Sequence, residues 1–331
     1  MHKINSAKEK LFVERLSKIF YLPQDKIYQN FSSKKRFSGR VNTLKISADE
    51  FYSLAEKENL KLTPLDWYPD GFYFSSPKSE IAQHRLFKLG LGFIQNASSF
   101  LPVLGLKPAK GEKILDVCAS PGAKASHIAA LTQNDIFLWV NDGISSRLKE
   151  IEEVRNLLGF KYDVITSFPG QYIDKFINEK FNKILVDAQC TGEAMIDLLK
   201  ANSLHYWNLQ RIKKYHYLQL KILKNSFKLL KPGGVLVYST CSFAPEENEA
   251  VISEFLRDTN DVIVDSLIFD TTATREGIIN FDKMTYDKRV QNALRIFPEE
   301  YLVVFFVCRL RKVDSNNKTG CVVNISPGEV D

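Results

Sequence analysis

Two of the five cysteines stand where a thiol could act as a nucleophile. Cys190 lies in DAQCTGE (residues 187–193) and Cys241 lies in STCS (residues 239–242), and each segment follows an apolar run typical of a buried strand. A thiolate is the reactive form of cysteine, and a helix N-terminus or a cation such as Lys124 favours it. The pattern predicts two reactive thiols at neighbouring strand ends. The alternative is that each cysteine is a small apolar core residue.

Two further segments could hold a ligand. The sequence DVCASPGAKASHIAAL (residues 116–131) places Gly122 at a tight turn from strand to helix, where free N–H groups can bind an acceptor-rich molecule. It matches neither the dinucleotide fingerprint nor a phosphate-binding P-loop. About 20 residues later, Asp142 in WVNDGISSRL (residues 139–148) has the position of a ribose-binding acid. Equally, Asp142 or Ser145 could cap the next helix.

The elements that must position these residues alternate along the chain. Strands are predicted over residues 113–118, 136–141, 162–166, 183–187, 234–240, 262–268 and 301–308. Helices are predicted over 123–131, 145–158, 170–178, 208–230 and 246–257. Such alternation predicts an α/β fold with a doubly wound, mostly parallel sheet. Ligands bind such sheets at the carboxyl edge, where all the candidate segments fall.

The N-terminal part has a different pattern and a different charge. A helix over 6–20, a strand over 40–46, a helix over 48–59 and a turn at Asp70-Gly71 predict a small α+β module. Residues 1–110 hold 18 basic and 10 acidic residues, whereas the whole chain has a net charge of only +6. This excess predicts a polyanion-binding arm, with Lys34, Lys35, Arg36 and Arg40 as candidate phosphate contacts. A solvated basic surface is the alternative.

Composition excludes several classes of protein. The 331 residues are 44% hydrophobic and 25% charged, which is ordinary for a globular protein and unlike disordered or fibrous chains. No apolar run approaches the length of about 20 residues that spans a bilayer. The cysteines show no CxxC pair and no close Cys/His set, so neither a disulfide framework nor a metal site is expected. We expect a cytoplasmic protein, monomeric and without a metal or a membrane partner.

Taken together, the motifs resemble those of the NOL/NOP/Sun family of S-adenosylmethionine-dependent RNA cytosine-5 methyltransferases. The resemblance rests on the three segments at residues 116–131, 187–196 and 230–256, and on RVNTLK (40–45), FIQNASSFLPV (93–103) and ALRIFP (293–298). It extends over about residues 10–312. It implies a Rossmann-like class I methyltransferase domain over 81–312, an RRM-like (ferredoxin-like) RNA-binding module over 1–80, and a flexible tail over 313–331.

The resemblance also implies roles for particular residues. Cys241 corresponds to the catalytic nucleophile, Cys190 to the cysteine that assists product release, and Asp187 to the acid beside the cofactor and the target base. S-adenosyl-L-methionine is the implied cofactor. Its implied binding residues are Cys118, Ala119, Ser120, Pro121, Gly122, Ala123, Lys124, Asp142, Arg147 and Asp187.

Some positions depart from the family pattern. Ala123 replaces a glycine, Gln189 replaces a proline, and the turn at 166–171 lacks an aspartate near the adenine, where Ser167 or Phe168 could substitute. The expected reaction is methyl transfer to C5 of a cytosine in tRNA or rRNA, through a covalent bond from cysteine to C6. The alternative is an RNA-binding protein of this fold with weak or no activity. A DNA cytosine-5 methyltransferase fits less well, because those enzymes place the nucleophile after a proline in the turn that holds Gln189 and Cys190.

Overall fold

The computed structural model describes residues 7–32, 36–200, 202–269, 271, 273–298, 302–314 and 320–325. Its helices are α1 (Ala7–Phe20), α2 (Gln24–Ser32), α3 (Ala48–Lys57), α4 (Lys78–Gln83), α5 (Arg85–Lys88), α6 (Leu101–Leu106), α7 (Ala123–Leu131), α8 (Leu148–Leu158), α9 (Leu209–Phe227) and α10 (Glu249–Arg257). Short 3₁₀ turns cover Ala97–Phe100, Ser145–Arg147, Gly170–Lys175, Glu193–Met195 and Lys288–Asn292.

The strands form two main sheets and a small hairpin. They are β1 (Phe37–Val41), β2 (Thr63–Leu65), β3 (Tyr68–Phe74), β4 (Gly92–Ile94), β5 (Lys113–Asp116), β6 (Phe137–Asn141), β7 (Val164–Thr166), β8 (Phe181–Asp187), β9 (Leu230–Thr240), β10 (Val262–Ile268), β11 (Thr274–Glu276), β12 (Asn280–Phe281), β13 (Met284–Thr285), β14 (Leu294–Ile296), β15 (Phe305–Lys312) and β16 (Val322–Asn324).

The large sheet has a parallel centre, as predicted. Strands β7-β6-β5-β8-β9 run parallel in this order, and β15 joins them antiparallel to β9. Both β14 and β10 pair with the other edge of β15, also antiparallel. The chain reverses its strand order at β5, which lies between β6 and β8. A reversal of this kind opens a ligand crevice at the carboxyl ends of the strands.

Successive side chains along the strands of the large sheet pack alternately into two separate hydrophobic cores. In β8, Ile184 and Val186 pack into the cluster that includes α9 and α10, whereas Leu185 packs into the cluster that includes α6, α7 and α8. This period of two follows from the strand pleat. Because both faces are covered by helices, the parallel strands read as continuous apolar runs in the sequence.

The small sheet confirms the predicted ferredoxin-like module. Its strand order is β2-β3-β1-β4, all neighbours are antiparallel, and α3 and the pair α4 and α5 form the two crossovers. Helix α3 begins with a capping box between Ser47 and Glu50. The sheet closes with Gly92–Ile94, so it extends beyond residue 80, where the sequence placed the boundary.

Helices α1 and α2 do not belong to this module. Their apolar side chains pack into the core on the α9–α10 face of the large sheet. The ring of Phe12 meets the edge of Trp207 at 5.1 Å, and Phe20 meets Phe243 at 4.9 Å. Arg15 also pairs with Glu246 at 2.8 Å. The two helices therefore connect the N-terminal part of the chain to the large sheet, because their aromatic residues find their partners there.

Several local predictions differ from the structure. The strand predicted over 40–46 is Phe37–Val41, because Asn42 turns the chain by donating to the backbone oxygens of Gly90 and Leu158. The helix predicted over 170–178 is the 3₁₀ segment Gly170–Lys175. The last strand of the predicted series is Phe305–Lys312 instead of 301–308.

The predicted loose tail is partly ordered. Strand β16 pairs in parallel with β10, and Val323 and Ile325 are buried. These apolar residues cover the end of the sheet, which explains why the segment does not remain loose. None of the helices among the described residues is long and apolar enough to cross a membrane.

Candidate active site

The first candidate ligand-binding turn has the predicted geometry. Gly122 adopts φ = 101°, in the left-handed region that favours glycine, and α7 begins at the next residue. Within the described chain, no side chain caps this helix start. Its first N–H groups are therefore available to a ligand. The carboxyl group of Asp142 lies beside this turn and accepts from the backbone N–H of Ser120 at 3.2 Å.

Asp142 and Arg147 are brought together with the same turn. The Arg147 guanidinium lies 3.4 Å from the Asp142 carboxylate and donates to the backbone oxygen of Ser120 at 3.1 Å. Asp142 also accepts from the N–H of Ile144, whereas α8 begins at residue 148 without a side-chain cap among the described residues. The helix-cap alternative for Asp142 and Ser145 is therefore wrong.

Asp187 links three of the strand-end turns. Its carboxylate receives the Lys124 ammonium at 2.6 Å on one oxygen and the Ser239 hydroxyl at 2.7 Å on the other. Both Lys124 and Asp187 remain partly accessible to solvent, at 12% and 25% of their side-chain surfaces. Lys124 was expected to favour a thiolate, but its charge is balanced by Asp187.

Asp116 is a buried carboxyl group that sequence reasoning missed. It is the last residue of β5, it is 1% exposed, and in the described part of the chain neither oxygen has a partner of good hydrogen-bond geometry. Burial and the nearby Asp187 raise its pKa to about 8, although Lys124 and the Cys118 amide act in the opposite direction. Its position at the end of the first strand of the sheet was the signal that could have found it.

The two candidate thiols meet at the carboxyl edge. The Sγ atoms of Cys190 and Cys241 lie 3.2 Å apart, and both residues are partly exposed. The hydrogen bond between the two sulfurs, together with burial, raises the pKa of Cys190 well above its usual value. Cys190 therefore keeps its proton to a higher pH than an ordinary cysteine does, and either sulfur can donate the hydrogen bond. The alternative of two isolated core cysteines is wrong.

Two buried glutamates hold the cysteine loops together. Glu193, from the Cys190 loop, accepts from the backbone N–H groups of Phe243 and Ala244 in the Cys241 loop, at 2.6 and 2.9 Å. In the opposite direction, Glu247 accepts from the N–H of Thr191 at 3.0 Å. Burial raises the pKa of Glu247 to about 7. Each loop is thus held in place by a glutamate side chain from the other loop.

The ALRIFP motif supports this arrangement from behind. Its Arg295 is buried, donates through two nitrogens to the Glu249 carboxylate at 2.5 Å each, and donates to the backbone oxygen of Phe243 at 3.1 Å. A buried bidentate pair of this kind fixes geometry strongly. The motif therefore acts on the Cys241 loop through its backbone.

The third turn offers an aromatic surface instead of an acid. The Ser167 hydroxyl donates to the backbone oxygen of Asp142, whereas the Phe168 ring stacks on Phe176 at 4.7 Å with an interplanar angle of 9°. Asn141 accepts from the backbone N–H of Phe168 at 2.8 Å and so fixes this turn to the end of β6. Of the two proposed substitutes, Phe168 is the one that presents a ring.

The candidate RNA contacts do not form one group. Lys34 and Lys35 lie outside the described residues, and Arg36 packs over the ring of Tyr73 at 4.7 Å. Arg40 is 1% exposed and donates to Ser126 at 2.7 Å and to Gln95 at 3.1 Å. The prediction that Arg40 contacts phosphate is therefore wrong. Its guanidinium instead ties the small sheet to helix α7.

Comparison with known proteins places this geometry in a family. The sequence model of the 16S rRNA methyltransferase RsmB/F family matches residues 103–311, and that of the N-terminal domain of 16S rRNA methyltransferase RsmF matches residues 9–97. The chain belongs to the RsmB/F methyltransferase family. The N-terminal match ends just after β4, in agreement with the extent of the small sheet.

Individual RsmB/F relatives agree with this assignment. The chain is 33% identical over 290 residues to ribosomal RNA small subunit methyltransferase F of Vibrio vulnificus YJ016, a match that covers 85% of this chain and 59% of the relative. It is 32% identical over 304 residues to the Shewanella baltica OS155 protein of the same name, with coverage of 89% and 60%. The chain thus spans about three fifths of the length of these curated relatives.

A solved structure shows the same architecture over nearly the whole chain. The methyltransferase homolog protein from Pyrococcus horikoshii has a TM-score of 0.80 and 30% identity, and the match covers 94% of this chain and 96% of that one. Among the described residues no group of three or more His, Cys, Asp or Glu side chains could hold a metal ion.

Proposed function

We propose that this protein transfers a methyl group from S-adenosylmethionine to C5 of a cytosine in small-subunit ribosomal RNA, through a covalent bond between Cys241 and C6. The observation that carries the proposal is the pair of sulfurs 3.2 Å apart at the carboxyl edge of the sheet, where the hydrogen bond between them and burial raise the pKa of Cys190. A thiolate stabilised by a neighbouring thiol is suited to attack on an aromatic ring carbon.

The residues around the first turn fit the cofactor. S-adenosylmethionine carries a positive sulfonium and an ammonium group, and the turn is surrounded by Asp116, Asp142 and Asp187, which all raise the pKa of Cys118 together with its burial. The unpartnered oxygens of Asp116 give a buried acceptor for a cationic ligand. Asp142 would hold the ribose hydroxyls, and the Phe168 ring would face the adenine.

The cytosine adduct begins with Cys241. Its thiolate forms a bond to C6, and the electrons of the C5–C6 double bond move to C5. N3 takes up a proton from solvent as the adduct forms and returns it when the adduct breaks down. Asp187 stabilises the protonated ring by accepting a hydrogen bond from N3–H, since each of its oxygens keeps a free lone pair beside Lys124 and Ser239. When bound, S-adenosylmethionine supplies the methyl group that C5 then takes up.

Cys190 completes the cycle. Its pKa is raised by the hydrogen bond to the Cys241 sulfur, and that cause disappears once Cys241 is a thioether. Cys190 can then lose its proton to solvent and remove the C5 proton, after which the Cys241–C6 bond breaks and the thiolate returns. The net products are the methylated base, S-adenosylhomocysteine and one proton.

The names of the relatives support ribosomal RNA as the substrate class. Those described above are named as small-subunit ribosomal RNA methyltransferases, which favours rRNA over tRNA. The target base must leave its stack to reach Cys241, at a cost of a few kcal/mol that is lowest in an unpaired strand. We therefore expect a target cytosine in a loop or junction.

The test uses methyl transfer from labelled S-adenosylmethionine to small-subunit RNA, with bisulfite sequencing to locate the base. Cys241→Ser should abolish transfer. Cys190→Ala should slow turnover by about 10²- to 10⁴-fold and accumulate a protein–RNA adduct that survives denaturing electrophoresis. Cys321→Ser, at an exposed thiol outside the site, is the matched control and should retain activity.

Two results would contradict the proposal. Full activity in Cys241→Ser would exclude the covalent mechanism. Absence of detectable S-adenosylmethionine binding by titration calorimetry at millimolar concentration would instead favour the second candidate, an RNA-binding protein without methyl transfer. The observation that favours this second candidate is the departure of Ala123 and Gln189 from the family pattern.

A further inference from the structure

Residues 195–217, which we call the aromatic-basic ridge and which the structure describes except for residue 201, expose an unusual amount of apolar surface. Of the fifteen large hydrophobic side chains that are exposed in the described chain, five lie in this segment of 23 residues: Met195, Leu199, Tyr206, Leu209 and Tyr217. Exposed apolar groups that cluster in this way mark interaction sites. Tyr206 is 73% exposed and Met195 is 83% exposed, so neither contributes to the core.

Three contacts hold the ridge and the residues beside it to the loops that carry Cys190 and Cys241. Just before the ridge, the N–H of Ala194 donates to the backbone oxygen of Cys241 at 3.0 Å. Further along, the Trp207 indole donates to the Glu193 carboxylate at 2.6 Å. In α9, just beyond the ridge, the Gln219 amide donates to the backbone oxygen of Gln189, the neighbour of Cys190. These contacts anchor the ridge to the loops that carry Cys190 and Cys241.

The charge and ring content of the ridge favour a nucleic acid. It holds four basic residues, Lys200, Arg211, Lys213 and Lys214, against one acidic residue, Asp197. The Arg211 guanidinium packs 5.8 Å from the centre of the Tyr206 ring and 5.5 Å from that of Tyr215. Tyrosine rings beside arginine form the platform on which unpaired bases stack, and lysines close to them contact phosphates.

The α9 part of the ridge presents these groups on one side. Leu209, Lys213 and Tyr217 recur at intervals of four and are all exposed, whereas Ile212 and Gln219 are buried against the protein. Residues four apart share a helix face. The exposed face is therefore continuous from the loop that holds Tyr206 along the first two turns of α9.

We propose that the aromatic-basic ridge binds the single-stranded RNA that flanks the target cytosine, with a base stacked on Tyr206 and phosphates held by Lys213 and Lys214. This inference rests on the proposed function, because the RNA is the substrate of that reaction. A protein partner would gain little from the net positive charge, and an intact duplex offers no base face to stack on the ring.

The test measures binding of a 12-nucleotide single-stranded RNA with one cytosine by fluorescence anisotropy, without cofactor, over a range of salt. Tyr206→Ala should raise the Kd by between about fivefold and a hundredfold, the range for loss of one stacked base. Lys213→Gln with Lys214→Gln should lower the slope of log Kd against log salt by about 1.4, or about 0.7 for each phosphate that is no longer neutralised. In the methyl transfer assay, Tyr206→Ala should raise KM and leave kcat unchanged.

The matched controls lie on and beside the β12–β13 hairpin. Met284→Ala and the pair Lys283→Gln with Lys288→Gln change side chains that are also exposed. Both should bind RNA as the unaltered protein does. A Tyr206→Ala affinity within twofold of the Met284→Ala affinity would overturn the inference. So would sedimentation data in which Tyr206→Ala abolishes self-association without altering RNA binding, since the ridge would then be a protein interface.

The outcome is separable from the proposed function. Binding is measured without cofactor, so it does not depend on the reaction. Failure of the unaltered protein to methylate RNA would refute the proposed reaction, and the anisotropy result would still decide whether the ridge binds RNA. Conversely, if the enzyme is active and its affinity for RNA is unchanged by substitution of Tyr206, Lys213 and Lys214, only the inference about the ridge would be refuted.

Discussion

Replacing Glu193 by glutamine should loosen the loop that carries Cys241. One carboxylate oxygen of Glu193 accepts from the Ser242 hydroxyl and from the N–H groups of Phe243 and Ala244, at 2.9, 2.6 and 2.9 Å. The other oxygen accepts from the Trp207 indole at 2.6 Å. Glutamine has a single acceptor oxygen. If that oxygen keeps the hydrogen bonds from the Cys241 loop, the amide nitrogen faces the Trp207 indole N–H. Both groups are then donors, and neither can accept from the other.

The magnitude follows from this count. One buried donor left unpaired costs about 1 to 3 kcal/mol, and the loss of a hydrogen bond to a charged acceptor has a similar size. We therefore expect Glu193→Gln to lower the free energy of unfolding by about 2 to 3 kcal/mol. Trp207→Phe removes the conflicting donor and keeps an aromatic edge against Phe12. The loss of free energy of unfolding in the double variant should therefore be about 1 to 2 kcal/mol smaller than the sum of the losses in the two single variants.

Urea unfolding followed by circular dichroism measures the free energy of unfolding of the two single variants and the double variant. The methyl transfer assay measures the effect of Glu193→Gln on kcat. A small displacement of Cys241 should reduce kcat by at least about tenfold, since reaction rates depend steeply on the alignment of the reacting atoms. Glu153→Gln, at an exposed glutamate of α8, is the control and should stay within about 0.5 kcal/mol of the unaltered protein. A coupling energy below about 0.5 kcal/mol, or a loss of stability with unchanged kcat, would refute the reasoning.

Three further predictions concern buried charges. Since the pKa of Asp116 is raised to about 8, a cationic cofactor should bind more tightly as the pH rises through 8, and Asp116→Asn should remove that part of the dependence in calorimetric titrations from pH 6.5 to 8.5. Glu247 has a folded pKa of about 7 against an ordinary 4.5, so the folded protein keeps a proton that the unfolded chain has released, and stability falls between these values. Relative to the unaltered protein, Glu247→Gln should gain up to about 3 kcal/mol in urea unfolding between pH 5 and pH 8, and a constant difference would contradict the assignment. Arg40→Gln should lower the free energy of unfolding by about 2 to 4 kcal/mol and leave the salt slope of RNA binding unchanged, whereas a reduced slope would restore Arg40 as a phosphate contact.

Much of the site could be predicted from the chain because its parts are local. Gly122 sits at a strand-to-helix turn that needs its left-handed backbone, and the two cysteines follow strands whose apolar runs are plain. In a parallel sheet such turns share one edge, so placing Cys190 near Cys241 needed only the strand pattern. The family motifs added the order of strands, which local patterns do not contain.

Other features depended on side chains that meet across the fold. Arg40 reads as a surface cation in a basic cluster, but its guanidinium is buried against α7, 86 residues away along the chain at Ser126. Glu193 and Glu247 read as ordinary loop acids, although each fixes the loop of the opposite cysteine. Local sequence patterns report the periodicity of an element, and they carry no information about which distant donor a carboxylate will find.

The sequence by itself determined the alternating elements, the edge of the sheet where the proposed chemistry would take place, and the two sulfurs that would perform it. Only the tertiary structure decided how close these two sulfurs lie, which carboxyl group at β5 has no hydrogen-bond partner among the described residues, and which exposed surface is attached to the cysteine loops. The physical reason is that pairing, burial and exposure are properties of distances between elements, and these distances are set by how the helices and strands pack together.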